Sequence, residues 1–118
     1  MIQPISDRAT FAHLRRSRRR VRRGPVTVTW VEGEPSEPTR VAYTVGRRVG
    51  GAVVRNRVRR RLRAATSEAG GLLRPGPYLI GARPEAAQAS YGELRTAVNE
   101  ALRAVTRTPA PPRTAMPT

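Results

Sequence analysis

Of the 23 basic residues in this chain, 16 fall in two segments that contain no acid at all. Arg8 to Arg23 holds eight (Arg8, Arg15, Arg16, Arg18, Arg19, Arg20, Arg22, Arg23), and Arg47 to Arg63 holds another eight (Arg47, Arg48, Arg55, Arg57, Arg59, Arg60, Arg61, Arg63). Charges of one sign cannot be packed together away from water, so both segments must put most of their arginines on the surface. The core then falls to the apolar residues between them. The eight acids lie outside both segments, and Glu32, Glu34 and Glu37 crowd a single turn that contains Pro35 and Pro38. Such segregation predicts a basic face rather than an evenly solvated surface.

A chain of 118 residues fits one domain. With 38% hydrophobic and 4% aromatic residues, its core must be small and built mainly from Val, Leu and Ala. Every basic residue is Arg, whose planar, permanently charged guanidinium grips phosphate in a bidentate fork or stacks on a base. A net charge of +15 calls for a polyanionic partner. A basic run alone fits RNA, DNA or anionic lipid. No apolar run approaches the roughly 18–20 residues that span a bilayer, and Met1 to Asp7 lacks the features of a signal peptide. There is no Cys, hence no disulfide or thiolate metal site. These features predict a cytoplasmic protein with a nucleic-acid partner, no membrane association and no obligate protein partner.

Periodicity predicts the elements. A first helix starts near Thr10 as N-cap, with Phe11 and Leu14 on one side. After Gly24-Pro25, Val26 to Trp30 alternates and is β-branched, as a strand does. A second strand covers about Arg40 to Val45. Glycines at 46, 50 and 51 precede a long helix from about Ala52 to Ala69, closed by Gly70-Gly71. Tyr78 to Ala82 is a short apolar strand. Ser90 and Glu93 form a capping box ahead of a last helix whose Leu94, Val98, Ala101, Leu102 and Val105 make one stripe. The order predicts an α/β sandwich, one sheet with helices packed against it. Domain limits are expected at a flexible segment 1–7, a folded domain 8–105 and a disordered Pro-rich tail 106–118.

In the long helix, successive residues turn by about 100°, which gathers Val54, Val58, Leu62 and Ala65 within roughly 80°. That stripe can dock on the sheet. Arg55, Arg59 and Arg63 recur at i, i+4 and i+8 on an adjoining face, with Asn56 and Arg60 beside them. Arg57 and Arg61 flank the stripe on its other side. Like charges at this spacing repel, and phosphates laid along the face relieve the repulsion while releasing counterions.

The run Arg47-Arg48-Val49-Gly50-Gly51-Ala52-Val53-Val54-Arg55-Asn56-Arg57-Val58-Arg59-Arg60-Arg61-Leu62-Arg63 closely resembles the signature of the bacterial ribonuclease P protein family. Phe11 in a basic first helix, the strand Tyr78 to Arg83 and Ser90-Tyr91 before the last helix extend the resemblance over roughly Arg8 to Val105. The resemblance implies an α-β-β-β-α-β-α order, a four-stranded sheet and a left-handed βαβ crossover, against the usual right-handed rule. The additional strand would lie around Val21 to Arg23.

It also implies roles. The Arg-Asn-Arg helix of the family contacts a catalytic RNA subunit, so Arg55, Asn56, Arg57, Arg59, Arg60 and Arg63 would face RNA, with Arg47 and Arg48 nearby. A cleft between the first helix and the sheet holds the single-stranded 5′ leader of precursor tRNA. Phe11 would line it, where a ring can stack on an unpaired base. Arg15 falls where some members carry a second aromatic, and Thr27 and Thr29 fall where a cleft aromatic can occur. By the same resemblance the RNA carries the catalysis and, with the substrate, holds Mg²⁺. The protein is an enzyme component at the level of the holoenzyme, and this chain has no catalytic or metal-ligating residue of its own.

The remaining candidates read as structural. His13 has no Cys nearby and no acid closer than Asp7, so it forms neither metal site nor dyad. Glu32, Glu34 and Glu37 lack an ordered ligand loop. Trp30 and Tyr43 are expected in the core. A ribosomal or chaperone-like RNA-binding module and a protein nuclease acting alone are the rival functions.

Overall fold

The computed structural model describes residues 2–107. In chain order they form β1 (Gln3–Pro4), α1 (Arg8–Arg16), β2 (Arg20–Arg23), β3 (Val26–Trp30), β4 (Thr39–Val45), α2 (Ala52–Glu68), β5 (Gly76–Ala82) and α3 (Tyr91–Arg107). Tight 3₁₀ turns lie at Arg47–Val49, Gly70–Leu72 and Pro84–Ala87. The strands make one sheet in the order β1-β4-β5-β3-β2. β3 is antiparallel to both β2 and β5, whereas β4 runs parallel to β1 and β5.

The sheet thus has five strands where four were expected, and the element order gains a strand at its start. The added strand lies within the segment expected to be flexible: Gln3 and Pro4 pair with Arg40 and Val41. Two residues are too few to show an alternating pattern, and Pro4 cannot donate to a ladder, which confines it to an edge. Ile5 follows into the core, so the ordered domain begins before Arg8. The first helix is capped by Asp7 rather than Thr10: the Asp7 carboxylate accepts from the Thr10 amide at 2.9 Å and hydroxyl at 2.6 Å. The expected strand near Val21 to Arg23 is β2. Of the expected tail, Thr106 and Arg107 complete α3, and residues 108–118 lie outside those described.

Alternation divides the sheet into two faces. Val26, Val28 and Trp30 of β3 join Val41, Val45, Tyr78 and Ile80 on one face, covered by Val58, Leu62 and Ala65 of α2 and by the α3 stripe. Trp30 stacks on Tyr78 with ring centroids 5.7 Å apart. Each fully buried Leu or Val here contributes about 1.5–3 kcal/mol before the entropy of ordering it is subtracted. The capping box of α3 forms as expected: the Glu93 amide donates to Ser90 Oγ at 3.0 Å and the Ser90 amide to Glu93 Oε1 at 2.7 Å.

The other face is only partly covered. Buried Leu14 of α1 meets Ile5 and Ala42, with Phe11, Val31 and Leu79 packed around them. Farther along the strands Gly81 is buried beneath the side chains of Thr27 and Thr44, and a Cβ there would stand 2.7 Å from Thr27 Oγ1 and 3.0 Å from Thr44 Cγ2. A second close approach fixes the start of β5. Gly76 has φ +113°, and a Cβ there would fall 2.3 Å from the Val31 carbonyl oxygen.

Candidate nucleic-acid interface

The α2 surface follows from its docking. Val58, Leu62, Ala65 and Thr66 are buried, which turns Asn56, Arg60 and Arg63 outward and leaves Arg55 and Arg59 half-buried at the margin. Arg59 Nη1 donates to Asn56 Oδ1 at 3.1 Å, tying together two residues of the predicted site. Arg47 and Arg48 are exposed on the turn before the helix, held there by buried Val49. Gly51 caps α2 with no side-chain hydrogen bond. The positive end of the helix therefore adds to the charge of these arginines.

Of the eight residues expected to face RNA, Arg55, Asn56, Arg59, Arg60 and Arg63 lie on the exposed side of α2 or at its margin, and Arg47 and Arg48 on the turn before it. Arg57 is turned toward the protein: its Nη2 donates to the Ala87 carbonyl at 3.1 Å, and Arg61 does the same to Ala89 at 3.1 Å. These two bonds fasten α2 to the segment after β5. Arg55 Nε and Arg57 Nε are buried without a hydrogen-bond partner among the described residues. The sole acid on α2, Glu68, sits in its last turn, where it accepts from the Tyr91 hydroxyl at 2.7 Å and pairs with Arg95 at 3.9 Å. That hydrogen bond raises the Tyr91 pKa. Among the described residues no carboxylate pairs with Arg55, Arg59 or Arg63 to relieve the repulsion along them.

Between α1 and α2 the edge of the sheet forms a groove. β1 pairs only with Arg40 and Val41, so among the described residues the outer edge of β4 from Ala42 onward has no strand partner. The groove encloses about 430 Å³ and brings Phe11, Ala42 and Tyr43 together with Arg59 and Arg63. Tyr43, expected in the core, is half-buried there, and the Arg63 guanidinium stands 5.7 Å from its ring centroid. Burial raises the Tyr43 pKa, opposed by a hydrogen bond with Thr66 and the charge of Arg63. Phe11 is itself half-buried: one side packs on the Leu14 cluster and the other is open to the groove. Arg15 is exposed beside Arg8, Phe11 and Ala12 on a second concavity.

The two threonines separate. Thr27 is half-buried, its hydroxyl standing over Gly81. Thr29, only 2% exposed, accepts from Arg20 Nε at 3.2 Å. It is therefore covered by Arg20 rather than open to a ligand, and the exposed group at that place is the arginine. Sequence reasoning missed Arg20 and Tyr43. The signal for Arg20 is the β2–β3 register, which sets Arg20 across from Thr29 and Arg22 across from Thr27.

His13 is exposed. Glu32 pairs with Arg19 at 3.0 Å, and Glu37 accepts from the Glu34 amide at 3.0 Å. Arg19 also lies 4.5 Å over the ring of buried Trp30. Burial pushes the Tyr78 hydroxyl up to about 12.

The chain is similar to proteins of one family. A family model described as Ribonuclease P matches residues 3–106. The ribonuclease P protein component of a Nocardioides species is 44% identical over 94 residues, 76% of this chain and 80% of that one. That of Thermobifida fusca is 49% identical over 71 residues, 59% of this chain and 48% of the other, so this match spans about half the relative's length. Among solved structures, the RNase P protein of Staphylococcus aureus superposes with a TM-score of 0.75 at 18% identity, covering 85% of this chain and 92% of that one. The protein from Thermotoga maritima gives 0.73 at 16% identity, covering 86% and 96%. At these identities the structural likeness concerns the fold alone.

Proposed function

Because the chain belongs to the ribonuclease P protein family, we propose that it is the protein subunit of the ribonuclease P ribonucleoprotein, binding the catalytic RNA and the 5′ leader of precursor tRNA while the leader is removed. The observation that carries this reading is the acid-free arginine face of α2 opening onto the groove at Phe11. Arg60 and Arg63, with Arg59, Arg47 and Arg48, neutralise phosphates of the RNA subunit, beside which Asn56 supplies a hydrogen bond. Their charge also offsets repulsion between the two RNAs. Phe11 offers its open side to an unpaired leader base, a stack worth about 1–3 kcal/mol. A left-handed β4-α2-β5 crossover, as in the family, is part of the same reading.

Among the described residues no three His, Cys, Asp or Glu side chains stand close enough to hold a metal ion. On the family reading Mg²⁺ is held mainly by the RNA subunit and substrate, and the chain's own part is to position the leader and screen charge. The work belongs to the cytoplasm. No helix among the described residues is long and apolar enough to cross a membrane.

The test is reconstitution with a bacterial ribonuclease P RNA at low Mg²⁺. Site-specific removal of the leader that depends on this protein supports the assignment. Cleavage by the protein without RNA, or no effect of the protein on the RNA, would overturn it.

A further inference from the structure

A second basic surface, with no part in the roles assigned to α2 and Phe11, lies at the opposite edge of the sheet. β2 is an edge strand, and Arg20 and Arg22 alternate along it with Val21, which packs into the core. By register they share a face with Thr29 and Thr27, and this is the face on which Thr27 and Thr44 stand over Gly81. Both arginines are exposed, and Arg18 stands exposed just ahead of them. Residues two apart on a strand are separated by about 6.7 Å, a spacing that suits successive phosphates of an extended single strand.

We propose that Arg20 and Arg22 form an upstream extension of the single-strand site, gripping leader phosphates that have passed across the sheet from Phe11. The inference rests on the assignment of the leader to the Phe11 groove. From β4 to β2 the path crosses β5 and β3, roughly 15 Å at the usual strand separation. Gly81 adds no side chain there, and only the small Thr27 and Thr44 stand over it, so that path carries no bulky residue. Arg20 is held in place by its Nε bond to Thr29, which leaves its terminal nitrogens for the ligand. Arg22 is poised rather than free: it pairs with Glu85 at 3.5 Å, with both side chains more than half exposed. A solvent-exposed pair of this kind is weak, and a phosphate can displace the carboxylate. The chemistry recognised is the phosphate backbone of unpaired RNA, so the extension should depend on leader length and not on leader sequence.

The experiment measures holoenzyme binding to precursor tRNAs with two leaders, one ending near Phe11 and one long enough to reach β2. The double variant R20Q/R22Q should lose about 10-fold in affinity for the long leader and less than about 2-fold for the short one. Its log–log salt slope for the long leader should fall by about 1.4, at about 0.7 per single-strand phosphate. Since Arg20 covers buried Thr29, R22Q alone and the melting temperature are measured alongside; R22Q should keep the length dependence in smaller degree. E85Q, which frees Arg22, should act in the opposite sense and tighten long-leader binding. Equal losses for both leaders would overturn the proposal and assign the surface to the RNA subunit. Unchanged affinity in R20Q/R22Q would overturn it in favour of a solvated face. If wild-type protein shows no preference for any leader over mature tRNA, the assignment of the Phe11 groove fails instead.

Discussion

The two arginine segments carry eight arginines each and no acid, yet the fold uses them differently. The second lies mostly on one helix with four buried residues beneath it, so its charges are held on a rigid rod. The first is divided among α1, a short link and the edge strand β2. Several of its arginines are engaged by the protein: Arg19 with Trp30 and Glu32, Arg20 with Thr29, Arg22 with Glu85. Charge count therefore does not define an interface. What defines it is how many guanidinium groups are presented together with no carboxylate to answer them.

That contrast can be broken most forcefully through the anchors. Leu62 is fully buried under α2, whereas Phe11 beneath α1 is half exposed. Leu62→Ala should cost about 2–5 kcal/mol of stability, and Phe11→Ala distinctly less than the roughly 3–5 kcal/mol typical of a core phenylalanine. Denaturant unfolding of the two variants checks this. An equal loss would make Phe11 a core residue and close the groove as a base site.

A smaller effect separates arginines within α2 itself. Arg57→Ala should cost about 1–2 kcal/mol, since its charged hydrogen bond fastens the helix to Ala87. Arg60→Ala should leave the melting temperature almost unchanged while weakening RNA binding, because Arg60 is exposed with no protein partner among the described residues. The reverse ranking in thermal melts would show that the exposed side, not the flank, holds the helix.

How far the sequence shows this division depends on period. Helical spacing alone places Arg55, Arg59 and Arg63 on one side of Leu62, and puts Arg57 and Arg61 on the other flank. Their partners are not legible, because Ala87 and Ala89 offer backbone carbonyls from a segment about 28–30 residues away. The capping box at Ser90 is readable from local chemistry, and the strand around Val21 from the family resemblance. β1 is not, because two residues carry no pattern and its pairing with Arg40 and Val41 is long-range. For the same reason Thr29 looks like a cleft residue in the sequence: only the β2–β3 register reveals that Arg20 covers it.

The smallest expected effect concerns how α1 is set over the sheet. Asp7 caps α1 and pairs with Arg40 of β4 at 3.3 Å. Hydrogen bonds from the Thr10 side chain and amide, helped by the charge of Arg40, hold its carboxyl below the ordinary 3.8. Because the folded pKa is the lower one, the carboxylate's contribution is fully present above about pH 3.8 and is lost as pH falls through the folded value. Asp7→Asn should remove that acid-side component of the stability profile and leave stability near neutrality only slightly lower. An unchanged acid limb in the variant would show that Asp7 does not set α1.

The central claim is that the outward arginines of α2 meet RNA phosphates. Its most direct test is the salt dependence of binding to the ribonuclease P RNA for wild-type protein and for a variant with Arg59, Arg60 and Arg63 changed to Gln. Every phosphate left without its arginine should lower the log–log slope by about 0.7–0.9, so the variant should bind more weakly with a slope reduced by about 2–3 at an unaltered melting temperature. Weaker binding with the wild-type slope would contradict the claim, showing that these arginines act through folding or base recognition instead.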